Sequence, residues 1–479
     1  MRLSFVISRV LALILAAHIL VACRAGELAP PTVLPSPTVA EVTVTAEPTP
    51  AAEPTPAPPT AIAATPDFAT PTPFYSGPLS APCGVRLPSL PATPITSHID
   101  SALDDAARGE LLALAPAAAR PALQRLLDAP GTVGLVAFQA GREAEGVYVN
   151  PDAPMPLASV AKIITLVAYA EAIAAGELNP AEQVALAELD RYYLPNFDLG
   201  AHRRAVAELR EEGRLLGAAP DEAVLLEDVA WMMIRHSSNA AADYLHLRLG
   251  QARIEETAIG LGLNTPPAGH SAPCTFLGQF LMMGNHTRGS ANDRALLAAL
   301  VDDPAGAATY GAEVALLADA YANDATFRAA EQAWRSRTRG PGIDTQRFFA
   351  ARLAPQGTAG AYAALMSRLA QNGLSNADSS FQARRILEWP NQFEANQELF
   401  SNVGYKNGAL PGVLTTAYYA YRWDDLAPVV VVLFFRDLPQ GTYRDWRFDL
   451  PHDELARWLL GDPAAIPAVA AALGQMNIP

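Results

Sequence analysis

The pattern of hydrophobic and polar positions divides the chain into three parts. The first part starts with two basic residues, Arg2 and Arg9, and continues as an apolar run over residues 10–21. The second part, about residues 28–94, consists mostly of Pro, Thr and Ala with few large apolar side chains. Periodic apolar positions begin only near His98. The pattern therefore predicts a leader, a spacer and one folded region.

Residues 1–23 have the features of a signal peptide that ends in a cysteine. The apolar run is too short to cross a bilayer comfortably as a helix, and its start is basic. The segment Leu20-Val21-Ala22-Cys23 resembles the lipobox of bacterial lipoproteins, in which the cysteine receives lipid. We expect export and a lipid anchor on Cys23, on the outer side of the cytoplasmic membrane or in the periplasm. The alternative is an ordinary cysteine of a signal region.

Residues 24–96 form the predicted spacer. Segments such as residues 46–50 and 54–59 alternate Pro with small residues. Such a composition cannot bury enough apolar surface to offset the entropy lost on ordering. We expect an extended, semi-rigid linker between the membrane and the folded region.

The folded region, residues 97–479, shows strand patterns near both of its ends and helical patterns between them. The predicted strands are residues 132–139, 145–149, 402–405, 413–423 and 428–435. The predicted helices are residues 101–127 with breaks at Pro116 and Pro121, most of 159–370, and 451–460. This order predicts an α+β fold, in which terminal helices flank one antiparallel sheet of about five strands and the other helices form an all-helical lobe.

Composition narrows the choice of partners. The net charge is −15, and no basic block is interleaved with aromatic residues, so nucleic acid is excluded as a partner. The eight histidines show no metal-ligand spacing, and no segment predicts a cofactor site. We expect a monomer without metal or cofactor.

Lysine is almost absent from this chain. Only Lys162 and Lys406 occur, and the remaining 32 of the 34 basic residues are arginine. Arginine supplies surface charge, but it cannot lose its proton as a buried lysine amine can. Either the two lysines survive by chance or they perform chemistry that arginine cannot.

Lys162 lies three residues after Ser159, at the start of a long apolar segment that ends at Gly176. This pattern predicts a buried helix with Ser159 in its first turn. Residues i and i+3 share a helix face, so the Lys162 amine is expected to reach the Ser159 hydroxyl. A desolvated amine has a lowered pKa and can act as a base for a nucleophilic serine.

Two further motifs follow in the chain. Ser237 and Asn239 lie in a short polar break between two helical segments, which a plain helix linker with an N-cap would also explain. Lys406, Asn407 and Gly408 lie at the end of a predicted strand, where the alternative is a simple β-turn. Gly408 would permit close approach of a ligand to the backbone.

Together the three motifs resemble those of the penicillin-recognising serine hydrolases, and most closely those of class A β-lactamases. Their pattern is Ser-x-x-Lys, Ser-Asp-Asn and Lys-Thr-Gly. The resemblance extends from about residue 123 to residue 460, apart from a predicted helical insertion at about residues 287–355. It implies a serine hydrolase that forms an acyl-enzyme with a β-lactam or an acyl-D-Ala-D-Ala peptide.

The resemblance also implies roles for the motif residues. Ser159 would be the nucleophile, and Lys162 would be its base or part of a proton relay. Ser237 would pass a proton to the leaving nitrogen. Asn239 would hold the amide side chain of the substrate, and Lys406 would help to bind its carboxylate.

The strand of the third motif would supply the remaining binding positions. Asn407 and Gly408 would line the substrate. The backbone N–H groups of Ser159 and Ala409 would form the oxyanion hole.

This sequence departs from the family pattern in three places. Ser238 replaces the acidic residue of the second motif, and Asn407 replaces the threonine of the third. No Asp or Glu occurs between Glu256 and Asp293, where class A enzymes carry the glutamate that activates the deacylating water. We therefore expect slow deacylation, with its base unassigned unless the insertion supplies one.

Three functions stay open at this point. The first is a β-lactamase-type hydrolase, and the second is a D-Ala-D-Ala peptidase or penicillin-binding protein that acts on peptidoglycan. The third is a non-catalytic lipoprotein that binds cell-wall peptides.

The remaining cysteines could form a disulfide bond. With Cys23 lipidated, Cys83 and Cys274 would be left either to pair with each other or to stay unpaired.

Overall fold

A computed structural model describes residues 105–263, 274–286, 304–337 and 340–473. The first half of the described chain contains these elements: α1 Asp105–Leu114, α2 Arg120–Asp128, β1 Val133–Gln139, β2 Val147–Val149, β3 Met155–Pro156, α3 Lys162–Ala174, β4 Gln183–Ala185, α4 Leu186–Leu189, α5 Ala201–Glu211, β5 Ala223–Leu225, α6 Leu226–Arg235, α7 Asn239–Leu249, α8 Gln251–Gly260 and α9 Phe276–Leu281.

The second half continues with helices and closes with three long strands and three helices. Its elements are α10 Pro304–Asn323, α11 Ala325–Arg337, α12 Ile343–Arg352, β6 Gln356–Gly357, α13 Ala359–Ala370, α14 Ala377–Leu387, α15 Glu394–Gln397, β7 Phe400–Leu410, β8 Val413–Arg422, β9 Val429–Phe435, α16 Gln440–Asp449, α17 Pro451–Gly461 and α18 Ala465–Ala472.

The central sheet combines strands from both ends of the domain. Its order is β2-β1-β9-β8-β7, and each neighbouring pair is antiparallel. β1 pairs along its whole length with β9, from Val133 opposite Phe435 to Gln139 opposite Val429. The predicted α+β class and the predicted five-stranded sheet are therefore confirmed.

Both faces of the sheet are buried, and successive side chains enter different cores. On β9, Val430 and Val432 pack into the core of the helical lobe, whereas Val431 and Leu433 pack against the terminal helices. This explains why β9 reads as an uninterrupted apolar run rather than an alternating one. The sheet is therefore a middle layer between the terminal helices on one side and the helical lobe on the other.

The helical lobe has α3 at its centre. Ten of the thirteen residues of α3 are buried, and α3 packs against α7, α8 and α14. The described part of the predicted insertion is helical, and α10 and α12 form a separate apolar cluster with α9 around Tyr310, Tyr321 and Phe349.

Two details differ from the sequence-based expectations. Ser159 does not lie in the first turn of the α-helix, because Ala158–Ala161 form a 3₁₀ turn and α3 begins at Lys162. The helices α16 and α18 were not predicted. The closing helix at residues 451–460 is present as α17.

Several expectations concern parts of the chain outside the described residues. These are the signal peptide, lipidation of Cys23, and the linker. In the described part, no helix is both long enough and apolar enough to cross a membrane.

Cys274 is buried and takes part in a disulfide bond. Cys83 lies outside the described residues, so its pairing with Cys274 stays a prediction.

Candidate active site

Ser159 lies in a tight turn at the mouth of a cleft between the sheet and the helical lobe. The preceding residue, Ala158, has a positive φ of 49°. A non-glycine residue in this region is strained and persists only where its surroundings hold it. Thr415 holds this turn, since its hydroxyl donates a hydrogen bond to Leu157 O at 2.9 Å. The side chain of Ser159 is therefore presented by a constrained backbone rather than by a regular helix.

The Lys162 amine is buried behind Ser159, with only 1% of the residue exposed. It donates hydrogen bonds to Ser237 O at 2.6 Å and to Asn239 Oδ1 at 2.7 Å, and it lies 3.1 Å from Ser237 Oγ. Within the described residues it makes no hydrogen bond to Ser159. The predicted contact between Ser159 and Lys162 is thus absent in this state, although both side chains lie at the same end of α3.

The second motif forms the wall opposite Ser159. Ser237 has a positive φ of 63° and lies between the end of α6 and the start of α7. Its hydroxyl lies 3.1 Å from both Lys162 Nζ and Lys406 Nζ. Ser237 thus stands between the only two lysines of the chain.

The third motif lies on β7. The Lys406 amine is buried and also donates to Asn407 O at 2.8 Å. At Gly408, an added Cβ would lie 2.6 Å from Ser159 N and 2.8 Å from Leu157 O, closer than such atoms can approach. Only glycine allows β7 to pack this closely against the turn of Ser159.

The cleft between these elements has a volume of about 430 Å³. Ser159, Ser237, Asn239, Asn407, Gly408 and Ala409 all line it. Lys162 and Lys406 lie directly behind this lining. The structure therefore brings together every residue that the sequence assigned to the site, apart from Cys23. Within the described residues, no group of His, Cys, Asp and Glu side chains could hold a metal ion.

Burial changes the proton affinity of both amines. It lowers the pKa of Lys162 to about 7, against the opposing effect of the Asp243 and Asp198 carboxylates. Burial also lowers the pKa of Lys406 well below its ordinary value, and the nearby Lys162 amine lowers it further. Because the two amines share Ser237, protonation of one disfavours protonation of the other.

An aromatic ring and a constrained carboxylate occupy the interior beside Lys162. The Phe276 ring lies 4.6 Å from Lys162 Nζ. Asp243 is buried, and its two oxygens accept hydrogen bonds from Phe276 N at 2.7 Å and Leu277 N at 2.6 Å. Burial raises the pKa of Asp243 to about 7. Asp243 does not line the cleft, and its two hydrogen bonds cap the start of α9.

Two residues outside the three motifs also line the cleft. Arg447 lies on α16, and His452 lies at the start of α17. His452 is 2% exposed at its side chain, and its Nδ1 has no hydrogen-bond partner among the described residues. Arg447 lies within α16, a helix that was not predicted, and His452 lies in the predicted closing helix without any motif around it, so no sequence signal pointed to either residue.

Comparison with known proteins identifies the family of this chain. The sequence model of the Beta-lactamase2 family, described as the β-lactamase enzyme family, matches residues 118–445. This match covers well over half of the chain and includes all three motifs. The chain belongs to the β-lactamase enzyme family. It is thus a member of a family of serine β-lactamase-like hydrolases, as its motifs predicted.

Solved structures of the same kind are distant in sequence. A β-lactamase from Sphaerobacter thermophilus DSM 20745 is 17% identical, with 78% of this chain and 99% of that chain covered and a TM-score of 0.41. A structure named PBP-A is 14% identical, with 72% and 90% covered and a TM-score of 0.39. A β-lactamase from Chitinophaga pinensis DSM 2588 is 13% identical, with 69% and 98% covered and a TM-score of 0.39. No curated protein matches this β-lactamase family member.

Proposed function

We propose that this protein is an exported serine hydrolase of the β-lactamase type that is acylated by β-lactams at Ser159 and releases the acyl group slowly. The observation that carries this proposal is the convergence of both lysines on Ser237, opposite Ser159. A site that only bound ligand would gain nothing from two amines desolvated beside a serine. A site that moves protons needs such amines.

The proposed acylation uses the groups that line the cleft. Ser159 Oγ attacks the lactam carbonyl while its proton passes to the neutral Lys162 amine. The carbonyl oxygen becomes an oxyanion and accepts hydrogen bonds from the backbone N–H groups of Ser159 and Ala409. As the carbon–nitrogen bond of the lactam breaks, Ser237 donates its hydroxyl proton to the nitrogen and is reprotonated by the lysine pair.

An anionic substrate would prepare the site for this step. The substrate carboxylate would lie near Lys406 and Asn407, in a cleft that Arg447 and His452 also line. A negative charge beside Lys406 favours its protonated form. A protonated Lys406 in turn disfavours a proton on Lys162, which then acts as the base.

Slow deacylation follows from what surrounds Lys162. A hydrolytic water needs a positioned base, and the Phe276 ring centroid lies 4.6 Å from the Lys162 amine. Asp198 lines the cleft, but its two oxygens accept hydrogen bonds from Gly200 N and His202 N. Asp243 has both oxygens occupied by backbone N–H groups. If the predicted insertion supplies a base, the first candidates are the carboxylates of Asp293, Asp302 and Asp303, which lie outside the described residues.

Slow deacylation also favours a second function. An enzyme that is acylated rapidly and whose acyl-enzyme is hydrolysed slowly behaves as a penicillin-binding protein, whose substrate is an acyl-D-Ala-D-Ala peptide of peptidoglycan.

We further propose that the enzyme is held at the outer side of the cytoplasmic membrane by lipid on Cys23. Residues 24–96 would then act as the spacer that lets the cleft reach its substrate.

Pre-steady-state kinetics with a chromogenic cephalosporin test the proposal. A positioned general base contributes about 10²–10⁴-fold to such a step. Without one, we expect a burst of nearly one equivalent of product, followed by a slow steady phase. Smooth turnover without a burst, at the rate of an efficient β-lactamase, would contradict slow deacylation while leaving the acylation chemistry intact.

A further inference from the structure

We propose that His202 and Asp190 position the loop of the second motif, and that they replace the acidic residue which this motif lacks at Ser238. The role concerns acylation and therefore rests on the proposed function. His202 lies at the start of α5, and Asp190 lies in a 3₁₀ turn before it. Neither residue belongs to any of the three motifs.

The chain of contacts begins at Ser238. This residue is fully buried and does not line the cleft, whereas its half-buried neighbours Ser237 and Asn239 do. Its hydroxyl oxygen accepts a hydrogen bond from Ala241 N at 3.2 Å, so that it caps α7. The hydroxyl proton still needs an acceptor, because a buried unsatisfied donor is destabilising.

His202 supplies that acceptor. Its Nδ1 lies 3.1 Å from Ser238 Oγ, and its Nε2 lies 3.0 Å from Asp190 Oδ1. A carboxylate can only accept, so the ring proton lies on Nε2. Nδ1 is then unprotonated and accepts the hydrogen bond from the Ser238 hydroxyl. With this arrangement the Ser238 hydroxyl and both ring nitrogens of His202 have hydrogen-bond partners.

The ring of His202 is itself held in place. It is 2% exposed, and the Tyr193 ring packs against it with centroids 5.1 Å apart. The backbone N–H of His202 donates to Asp198 Oδ2 at 2.8 Å, which fixes the first turn of α5. His202 is therefore a rigid support for Ser238 rather than a mobile surface histidine.

The loop needs such support because its geometry is strained. Ser237 has a positive φ, and its carbonyl and hydroxyl must both face lysine amines. Besides its hydroxyl contacts, Ser238 is held by two backbone hydrogen bonds: its N–H donates to Met232 O at 3.1 Å, and its carbonyl oxygen accepts from Ala242 N at 3.2 Å. A shift of about 1 Å at a reacting group can slow a reaction about 100-fold. Loss of the His202 contact would allow such a shift at Ser237.

Acylation rates of a set of variants test this role. The rate constant for penicillin acylation is followed by intact mass, and the final labelled fraction is recorded separately. We expect His202→Phe to slow acylation by about 10- to 100-fold while nearly all molecules still become labelled. A merely structural role would instead reduce the labelled fraction and leave the rate constant of the remaining molecules unchanged. Asp221→Asn, at an exposed position outside the cleft lining, is the control and should match wild type.

Conservative variants identify which ring atom matters. Asn places its amide near the position of Nδ1, whereas Gln places its amide near Nε2. Relative to His202→Phe, we expect His202→Asn to restore much of the acylation rate and His202→Gln to restore little of it. Combining His202→Phe with Ser238→Ala should be no slower than the slower single variant, because both remove the same contact. Additive losses, or a wild-type rate for His202→Phe, would overturn the proposal.

Nitrogen-15 NMR of the histidine rings gives a test that does not depend on acylation. His202→Asn identifies the His202 signals by their loss. We expect a neutral ring with the proton on Nε2, and an Nδ1 signal that shifts in Ser238→Ala. A proton on Nδ1 in the wild-type protein would overturn the proposed chain of hydrogen bonds. If penicillin failed to label the wild-type protein, the proposed function would fail, and this spectrum would still decide the contact between His202 and Ser238.

Discussion

Replacement of Lys162 by arginine tests the proposed base most sharply. Arginine keeps the positive charge and the ability to donate to Ser237 and Asn239, but it cannot be deprotonated in a protein. If the Lys162 amine takes the proton of Ser159, then Lys162→Arg removes the base without removing the cation. We expect acylation to slow by about 10²–10⁴-fold.

The structure gives the pH dependence of the same step. A lysine with its ordinary pKa of 10.5 would be neutral in about one molecule in 3,000 at pH 7. Burial lowers the pKa of Lys162 to about 7, so its amine is neutral in about half of the molecules at that pH. The neutral form is the base, so the acylation rate should rise about tenfold per pH unit below this pKa and level off above it. Since the two amines are coupled, the measured midpoint belongs to the pair.

The assay is quenched-flow mixing with penicillin from about pH 5 to about pH 9, followed by intact mass. Lys406→Arg is the matched control, because the proposed role of Lys406 is that of a cation beside the substrate carboxylate. It should slow acylation less than Lys162→Arg and keep the rising pH profile. A flat profile in the wild-type protein, or a near-wild-type rate in Lys162→Arg, would refute the assignment of the base.

Two further changes have defined outcomes. Gly408→Ala places a Cβ 2.6 Å from Ser159 N, so β7 must move away from the turn of Ser159. Acylation measured by stopped flow should slow by about 10²–10³-fold, as it does when an oxyanion-hole donor is lost. A wild-type acylation rate would contradict the close packing. Cys23→Ser should release the protein from the membrane fraction or leave it with an uncleaved signal peptide, and unchanged fractionation together with unchanged size would contradict the lipid anchor.

The sheet could be predicted because its signals are local. β1 and β9 are short apolar runs whose β-branched residues fit a strand buried on both faces. Their position at opposite ends of a helical region left one antiparallel sheet as the simplest arrangement. Lys162 and Lys406 could also be predicted as site residues, because they are the only two lysines among 34 basic residues of the sequence.

The supporting contacts could not be predicted because they join distant parts of the chain. Ser238 meets His202 across 36 residues, and the position of the Phe276 ring depends on how α9 docks on Asp243. The 3₁₀ turn at Ser159 depends on packing against β7 rather than on local helix preference. The missing carboxylate after α8 was visible in the sequence, but the ring that lies against Lys162 in its absence was not.

Intact-mass measurement after incubation with penicillin tests the central claim most directly. The wild-type protein should gain the mass of one penicillin, and peptide mapping should place it on Ser159. Ser159→Ala should remain unlabelled under the same conditions. A wild-type protein that stays unlabelled under saturating drug, or a label that persists in Ser159→Ala, would contradict the account.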